Sequence, residues 1–249
     1  MGKTHEALEK AEKVYKEVVV ETRFEPQEAM VPKKPRQLPA RAPSEKYQMV
    51  KVKLITRFPE ASIKTILVTS ADRGNGSSTT AVGLATALAR DCKLKVLLID
   101  ANLRSPSLHE VFKIKYDQGL FNLLTRGNNE KLSIFRKRAY GDLYVIPSGG
   151  TYTGPMTLFE SNRFDNFLKS MREKFSYVIL DAPPVNGCSE SRILGPKADG
   201  VILVIESGKT RWQVAVQAKQ ELEDAGAKLL GVVLNKRKHY IPEWIYKRL

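Results

Sequence analysis

The chain has 249 residues, enough for one α/β domain with appendages, and 41 Lys and Arg against 27 Asp and Glu give it a formal charge of +14. That balance asks for an anionic partner, whether nucleotide phosphate, nucleic acid or an acidic membrane surface. Cys92 and Cys188 match no metal-ligand spacing, which excludes a disulfide scaffold and fits a reduced, cytoplasmic chain; no apolar run approaches the roughly 20 residues that cross a bilayer.

In chain order, Leu8, Ala11, Val14, Tyr15 and Val18 recur at helical spacing and predict an amphipathic helix over 4–18, within an N-terminal unit of residues 1–24. Five prolines, Pro26, Pro32, Pro35, Pro39 and Pro43, predict an extended linker over 25–43. A helix over 44–57 fills a pre-domain segment, 44–62. The main domain, 63–235, then alternates apolar runs with helices. Strands are predicted at 65–69, 95–100, 143–147, 177–181, 200–206 and 229–235, and helices at 78–90, 106–112, 119–126, 162–174, 189–195 and 211–225. Continuous Val/Ile/Leu strands between helices predict a mostly parallel sheet covered on both faces. Ligands of such sheets sit beyond the carboxyl ends of the strands, so the loops after Thr69, Asp100, Asp181 and Asn235 are the places to seek chemistry. A basic, aromatic tail, 236–249, closes the chain, with Trp244, Ile245 and Tyr246 as apolar anchors among cations.

The segment KTILVTSADRGNGSSTTAVGLATALA reads as strand, glycine-bearing loop and helix, the context of a phosphate cradle. Gly74 and Gly76 permit the turn, the amides of Asn75, Gly76, Ser77, Ser78 and Thr79 face a bound phosphate, and Ser78 offers a hydroxyl for Mg2+. Ala71 and Ser77 replace the first glycine and the lysine of the strict P-loop pattern. On this segment alone, a glycine turn that merely caps a helix fits equally well. Asp100 and Asp181 alter the balance: each ends a buried strand, where a carboxylate can hold Mg2+ directly or through water. One such aspartate is commonly a turn residue. Two in this order behind a phosphate-type loop point to a nucleoside triphosphate site.

VLLIDANLRSPSLHEVF resembles the second acidic motif of bacterial tyrosine kinases, a P-loop family that regulates capsule and exopolysaccharide synthesis. YVILDAPPV with ADGVILVI resembles their Walker B region and the strand after it, and MGKTHEALEKAEK is similar to the N-termini of exopolysaccharide-linked members. The resemblance implies a P-loop NTPase fold with ATP and Mg2+ as cofactors. It implies Mg2+ and catalytic roles for Asp100 and Asp181, a place for Arg104 in the acidic motif, and a contact between Asn235 and the base. The implied partner is a membrane polysaccharide co-polymerase, or chain-length regulator, which would draw a cytoplasmic protein to the inner face of the membrane. The fold is shared with ATPases that position chromosomes and septa, but the acidic motif and the N-terminus point away from nucleic acid.

Departures from the family pattern carry their own expectations. Ser77 cannot neutralise the β and γ phosphates as a lysine does, a loss worth about 10²–10³ in rate. Arg73, just before Gly74, is a candidate substitute cation, and Asn102 stands where the family often has aspartate. Family members assemble rings through Glu-x-x-Arg-x-x-Arg; here Glu45, Gln48 and Lys51 stand there, leaving a homo-oligomer and a solvated charged helix both open. Tyr240 and Tyr246 alone do not make the family's terminal tyrosine cluster, so extensive tail phosphorylation is not expected. His5, His109 and His239 show no ligand spacing. Two readings follow: a Mg-ATP-dependent tyrosine autokinase, or a catalytically reduced regulator acting through its membrane partner.

Overall fold

Runs of Val, Ile and Leu too apolar to face water on either side become the middle of a parallel sheet. The computed structural model describes residues 19–24, 45–58, 63–91, 94–126, 132–152 and 156–238. Its strands are β1 (Val19–Phe24), β2 (Thr65–Ser70), β3 (Val96–Asp100), β4 (Phe135–Arg136), β5 (Leu143–Ile146), β6 (Tyr177–Asp181), β7 (Gly200–Glu206) and β8 (Leu229–Lys238). They form one sheet in the order β1-β8-β7-β2-β6-β3-β5-β4, parallel throughout except where β4 meets β5. Every residue of β2, β3 and β6 is buried.

Side chains alternate across such a sheet. Ile66 and Val68 therefore join the core on one face, with Val96, Leu98 and Ile179, while Leu67, Leu97, Ile99, Val178 and Leu180 join the other. The first face is covered by α1 (Glu45–Arg57) and α2 (Ser77–Ala89), the second by α6 (Asn162–Lys174) and α8 (Trp212–Asp224). Between them in the chain lie α3 (Leu108–Phe112), α4 (Leu120–Arg126), α5 (Met156–Phe159) and α7 (Glu190–Leu194). In α2, Thr80 to Ala89 are all buried, because small residues let the helix sit between sheet and α1. Gly83 makes that approach possible: a Cβ there would lie 2.4 Å from the Tyr47 ring of α1. Burial pushes the Tyr47 hydroxyl up to about 12, against the Thr80 hydroxyl's opposing effect.

The predicted sheet and helices of 63–235 are present, with ends displaced by a residue or two except at the end of β8. Three short elements carry too few residues to show a period: β4, α5 and the 3-10 turn Arg138–Tyr140. Two boundaries are corrected. Val19–Phe24, inside the predicted N-terminal unit, is a strand parallel to β8, in keeping with its β-branched Val-Val-Glu-Thr run, and β8 continues past Asn235 to Lys238. The expected helix over 4–18, the linker 25–43 and tail residues 239–249 lie outside the described residues. On α1, Lys51 pairs with Asp91 at 3.5 Å, so the third position of the degraded ring motif is engaged within the chain. No described helix is long and apolar enough to cross a membrane.

Candidate functional site

The loop from β2 into α2 turns on Gly74 (φ 83°) and Gly76 (φ 96°), left-handed conformations that glycine adopts without a Cβ penalty. Asp72 organises it: its amide donates to Asn75 Oδ1 at 2.9 Å, its carbonyl accepts from Ser70 Oγ at 2.9 Å, and its carboxylate accepts from Asn186 Nδ2 at 3.2 Å. Gly76 caps α2 without a side-chain hydrogen bond. The first-turn amides therefore lack both an intrahelical acceptor and a side-chain cap, at the positive end of a 13-residue helix dipole. That arrangement is suited to hold an anion.

Asp100 and Asp181 lie opposite each other in the β3/β6 register, and neither is exposed to solvent. Asp100 Oδ2 accepts the amides of Ser107 and Leu108, each at 3.0 Å, while Oδ1 has no hydrogen-bond partner. Asp181 has none at either oxygen, and the nearby Ser78 hydroxyl faces it without completing a bond. Burial raises both carboxyls above their usual range. Asp100 further raises Asp181, against the Ser78 hydroxyl, and the backbone amides at Leu108, Ser107 and Asn102 partly offset the rise at Asp100. Orphaned buried carboxylate oxygens beside a hydroxyl are a donor set that fits Mg2+, which takes one or two carboxylates and fills its remaining positions with water and phosphate. The described residues contain no group of three or more His, Cys, Asp or Glu able to hold a metal, so the fit is to this sparse, phosphate-completed kind of site.

Next to these carboxylates, which do not themselves line it, opens a cleft of about 260 Å³, lined by the phosphate loop with Ser78, the loop after β3 and the Pro183-Pro184 turn after β6. Enclosed ligand pockets run to roughly 300–1,000 Å³, so this volume suits the phosphate end of a nucleotide, with the nucleoside beyond it. Of the residues predicted from sequence, Arg73, Gly74, Gly76, Ser77, Ser78 and Arg104 line the cleft. Asn75 is buried beside it and Thr79 lies half-buried on the first turn of α2. Asn235 stands behind the loop, its Nδ2 donating to Asn75 O at 2.8 Å. Asn102, also lining the cleft, accepts the Ser105 amide at 3.1 Å. His109 stacks on Tyr116 with centroids 4.2 Å apart and does not line the cleft.

Three residues of this region escape motif reading. Glu190, fully buried, binds Arg104 Nε through Oε1 and leaves Oε2 without a partner. Cys188 lines the cleft, and burial, then Glu190, push its thiol up against the opposing Arg104 and Arg73, which keeps it protonated. Lys236 places its ammonium 2.6 Å from Gly74 O. Pairings of this kind, between residues 86 or 162 positions apart, leave no local pattern in a sequence.

The chain is similar to several known proteins. Residues 63–224 match the family described as AAA domain. Tyrosine-protein kinase YwqD of Bacillus subtilis (strain 168) is 34% identical over 195 residues, covering 78% of this chain and 81% of that protein. Among solved structures, the chimerical protein CapA2B2 is similar at 31% identity and a TM-score of 0.73, covering 79% of this chain and 85% of that one. The kinase domain of Escherichia coli tyrosine kinase ETK shares the fold with a TM-score of 0.75 at 24% identity, covering 89% of this chain and 88% of that one.

Proposed function

This chain belongs to the bacterial tyrosine kinase family, with a P-loop NTPase fold, and on that premise we propose that it binds Mg-ATP and transfers the γ-phosphoryl group to tyrosine. The reading is carried by one observation: two buried carboxylates with orphaned oxygens lie beneath an uncapped helix N-terminus. The Gly76–Thr79 amides bind the phosphates, Ser78, Asp100 and Asp181 hold Mg2+, and Arg73 and Arg104 supply cations from the cleft walls. Bound Mg2+ neutralises charge on the transferring group. In its biological setting the protein acts in the cytoplasm as partner of a membrane polysaccharide co-polymerase and regulates capsule or exopolysaccharide synthesis.

Ser77 favours a second reading, in which nucleotide sets a conformation and turnover is reduced. At the head of α2 it offers the phosphates a hydroxyl in place of a charge. Calorimetry with Mg-ATP, followed by transfer of labelled γ-phosphate in wild type, Ser77→Lys and Asp181→Ala, separates the two. Transfer that Asp181→Ala abolishes establishes the kinase; binding without transfer in wild type, or neither binding nor transfer, favours the regulator, which acts through its membrane partner.

A further inference from the structure

We propose that Lys236 is a positioning residue for the phosphate loop: it grips the loop from behind and turns the loop's amides toward the anion. The inference rests on the reading of the cleft as a nucleotide site and adds a residue that the motifs do not contain. Lys236 Nζ donates to Gly74 O at 2.6 Å and lies 3.0 Å from Glu206 Oε2, while the preceding residue, Asn235, donates from Nδ2 to Asn75 O at 2.8 Å. Two consecutive carbonyls of the loop are thus held by two consecutive side chains at the end of β8.

In a trans peptide the carbonyl of one residue and the amide of the next point in opposite directions, and this chain has no cis bond among its described residues. Drawing the Gly74 and Asn75 carbonyls toward β8 therefore turns the Asn75 and Gly76 amides away from β8; the Asn75 amide is taken up by Asp72 O at 3.4 Å, which leaves the Gly76 amide for the anion. Gly76 lines the cleft, whereas Lys236 is absent from its walls. The ammonium does not neutralise phosphate; it acts through the loop's backbone.

The local backbone is built for this grip. Lys236 has φ 55°, a left-handed conformation that a residue with a side chain holds only when its surroundings impose it. Its amide donates to Asn235 Oδ1 at 2.9 Å, so one asparagine side chain both fixes that turn and binds the loop. Glu206 anchors the ammonium from β7, and Lys209 Nζ lies 3.6 Å from the same Glu206 oxygen. An ion pair this exposed contributes little by itself. Its third partner, the loop carbonyl, gives the arrangement a role.

The test uses the full chain as wild type, Lys236→Met, Lys236→Arg and Glu206→Gln, with two readouts. The first is hydrogen exchange of the 72–80 segment without nucleotide; the second is calorimetric affinity for Mg-ADP. Lys236→Met is expected to speed exchange in this segment and weaken Mg-ADP binding, each by about tenfold, the size of a lost charge-assisted hydrogen bond. Lys236→Arg restores both, and Glu206→Gln falls between. Unchanged exchange in Lys236→Met, or equal loosening by Met and Arg, overturns the assignment. Wild type that binds no nucleotide while Lys236→Met still loosens the loop refutes the nucleotide reading and leaves the grip standing.

Discussion

Asp100 and Asp181 end adjacent parallel strands in register, buried side by side, and three of their four carboxylate oxygens have no hydrogen-bond partner. Such a pair opposes folding when ionised and becomes an asset only when a cation bridges it.

A pH-dependent requirement for Mg2+ follows. Both carboxyls are raised in the folded protein, so above the ordinary carboxylate range the folded state binds more protons than the unfolded one. Stability then falls as pH rises, from the unfolded value near 4 through the raised native values. Without metal, the melting temperature is expected to drop between about pH 5 and about pH 8, and Mg2+ with ADP is expected to raise it most at the upper end. Asp181→Asn removes the repulsion: the apo protein melts higher than wild type at about pH 8 and loses the Mg2+ effect. A wild-type melting temperature that rises over this interval in the absence of metal would contradict the pair's assignment.

Gly76→Ala tests the contact between loop and β8. A Cβ at Gly76 would lie 2.2 Å from Asn235 Nδ2, at a backbone φ of 96° that side chains avoid. The expected cost is about 1–3 kcal/mol in thermal or denaturant unfolding, with loss of Mg-ATP affinity as Asn235 is driven off Asn75 O. Gly74→Ala meets no atom within 4 Å and carries only the conformational penalty of its φ of 83°. Equal losses in the two variants would show that the Asn235 contact contributes nothing.

The Arg104–Glu190 pair gives a double-mutant prediction. Glu190 is fully buried with one oxygen already unsatisfied, so Arg104→Met leaves a buried carboxylate without its cation, at an expected cost of about 1–3 kcal/mol given that Arg104 itself is partly exposed. Glu190→Gln in the Arg104→Met background recovers most of that stability without restoring phosphoryl transfer, because the cleft still lacks the guanidinium. Denaturant unfolding and labelled-phosphate transfer, measured on wild type, Arg104→Met, Glu190→Gln and the double variant, separate the two effects. Transfer regained with stability would reduce Arg104 to a structural role.

How much of this was legible depends on whether a residue's role is local. β2, β3 and β6 are buried along their whole length, so their apolar runs announce themselves, and Asp100 and Asp181 stand out by ending such runs. Gly74 and Gly76 were legible because a strand-loop-helix turn demands left-handed φ. Glu190 was not, since nothing near it in the chain shows that Arg104 will arrive beside it. Lys236 was hidden twice over: its function requires a positive φ unusual for lysine, and its partner lies 162 residues earlier. Asn235 drew notice in the sequence only through the family resemblance, whereas its grip on the Asn75 carbonyl became visible only in the fold.

Ser77→Lys is the final prediction. Ser77 lines the cleft at the first position of α2, so a lysine there projects from the helix N-terminus into the space proposed for phosphate. It meets a cleft already holding Arg73 and Arg104, and the added charge is helpful only when phosphate and metal are present to absorb it. The variant is expected to melt slightly lower than wild type when empty, by well under about 1 kcal/mol for a half-exposed charge near other cations, and to bind Mg-ATP more tightly. If the kinase reading is right, its transfer rate rises by about 10²–10³, the usual worth of one preorganised cation or donor in a phosphoryl or acyl transition state. If the serine belongs to a regulator whose machinery has otherwise diverged, affinity rises and transfer does not. A lysine that leaves both unchanged would mean that phosphate does not sit against the head of α2.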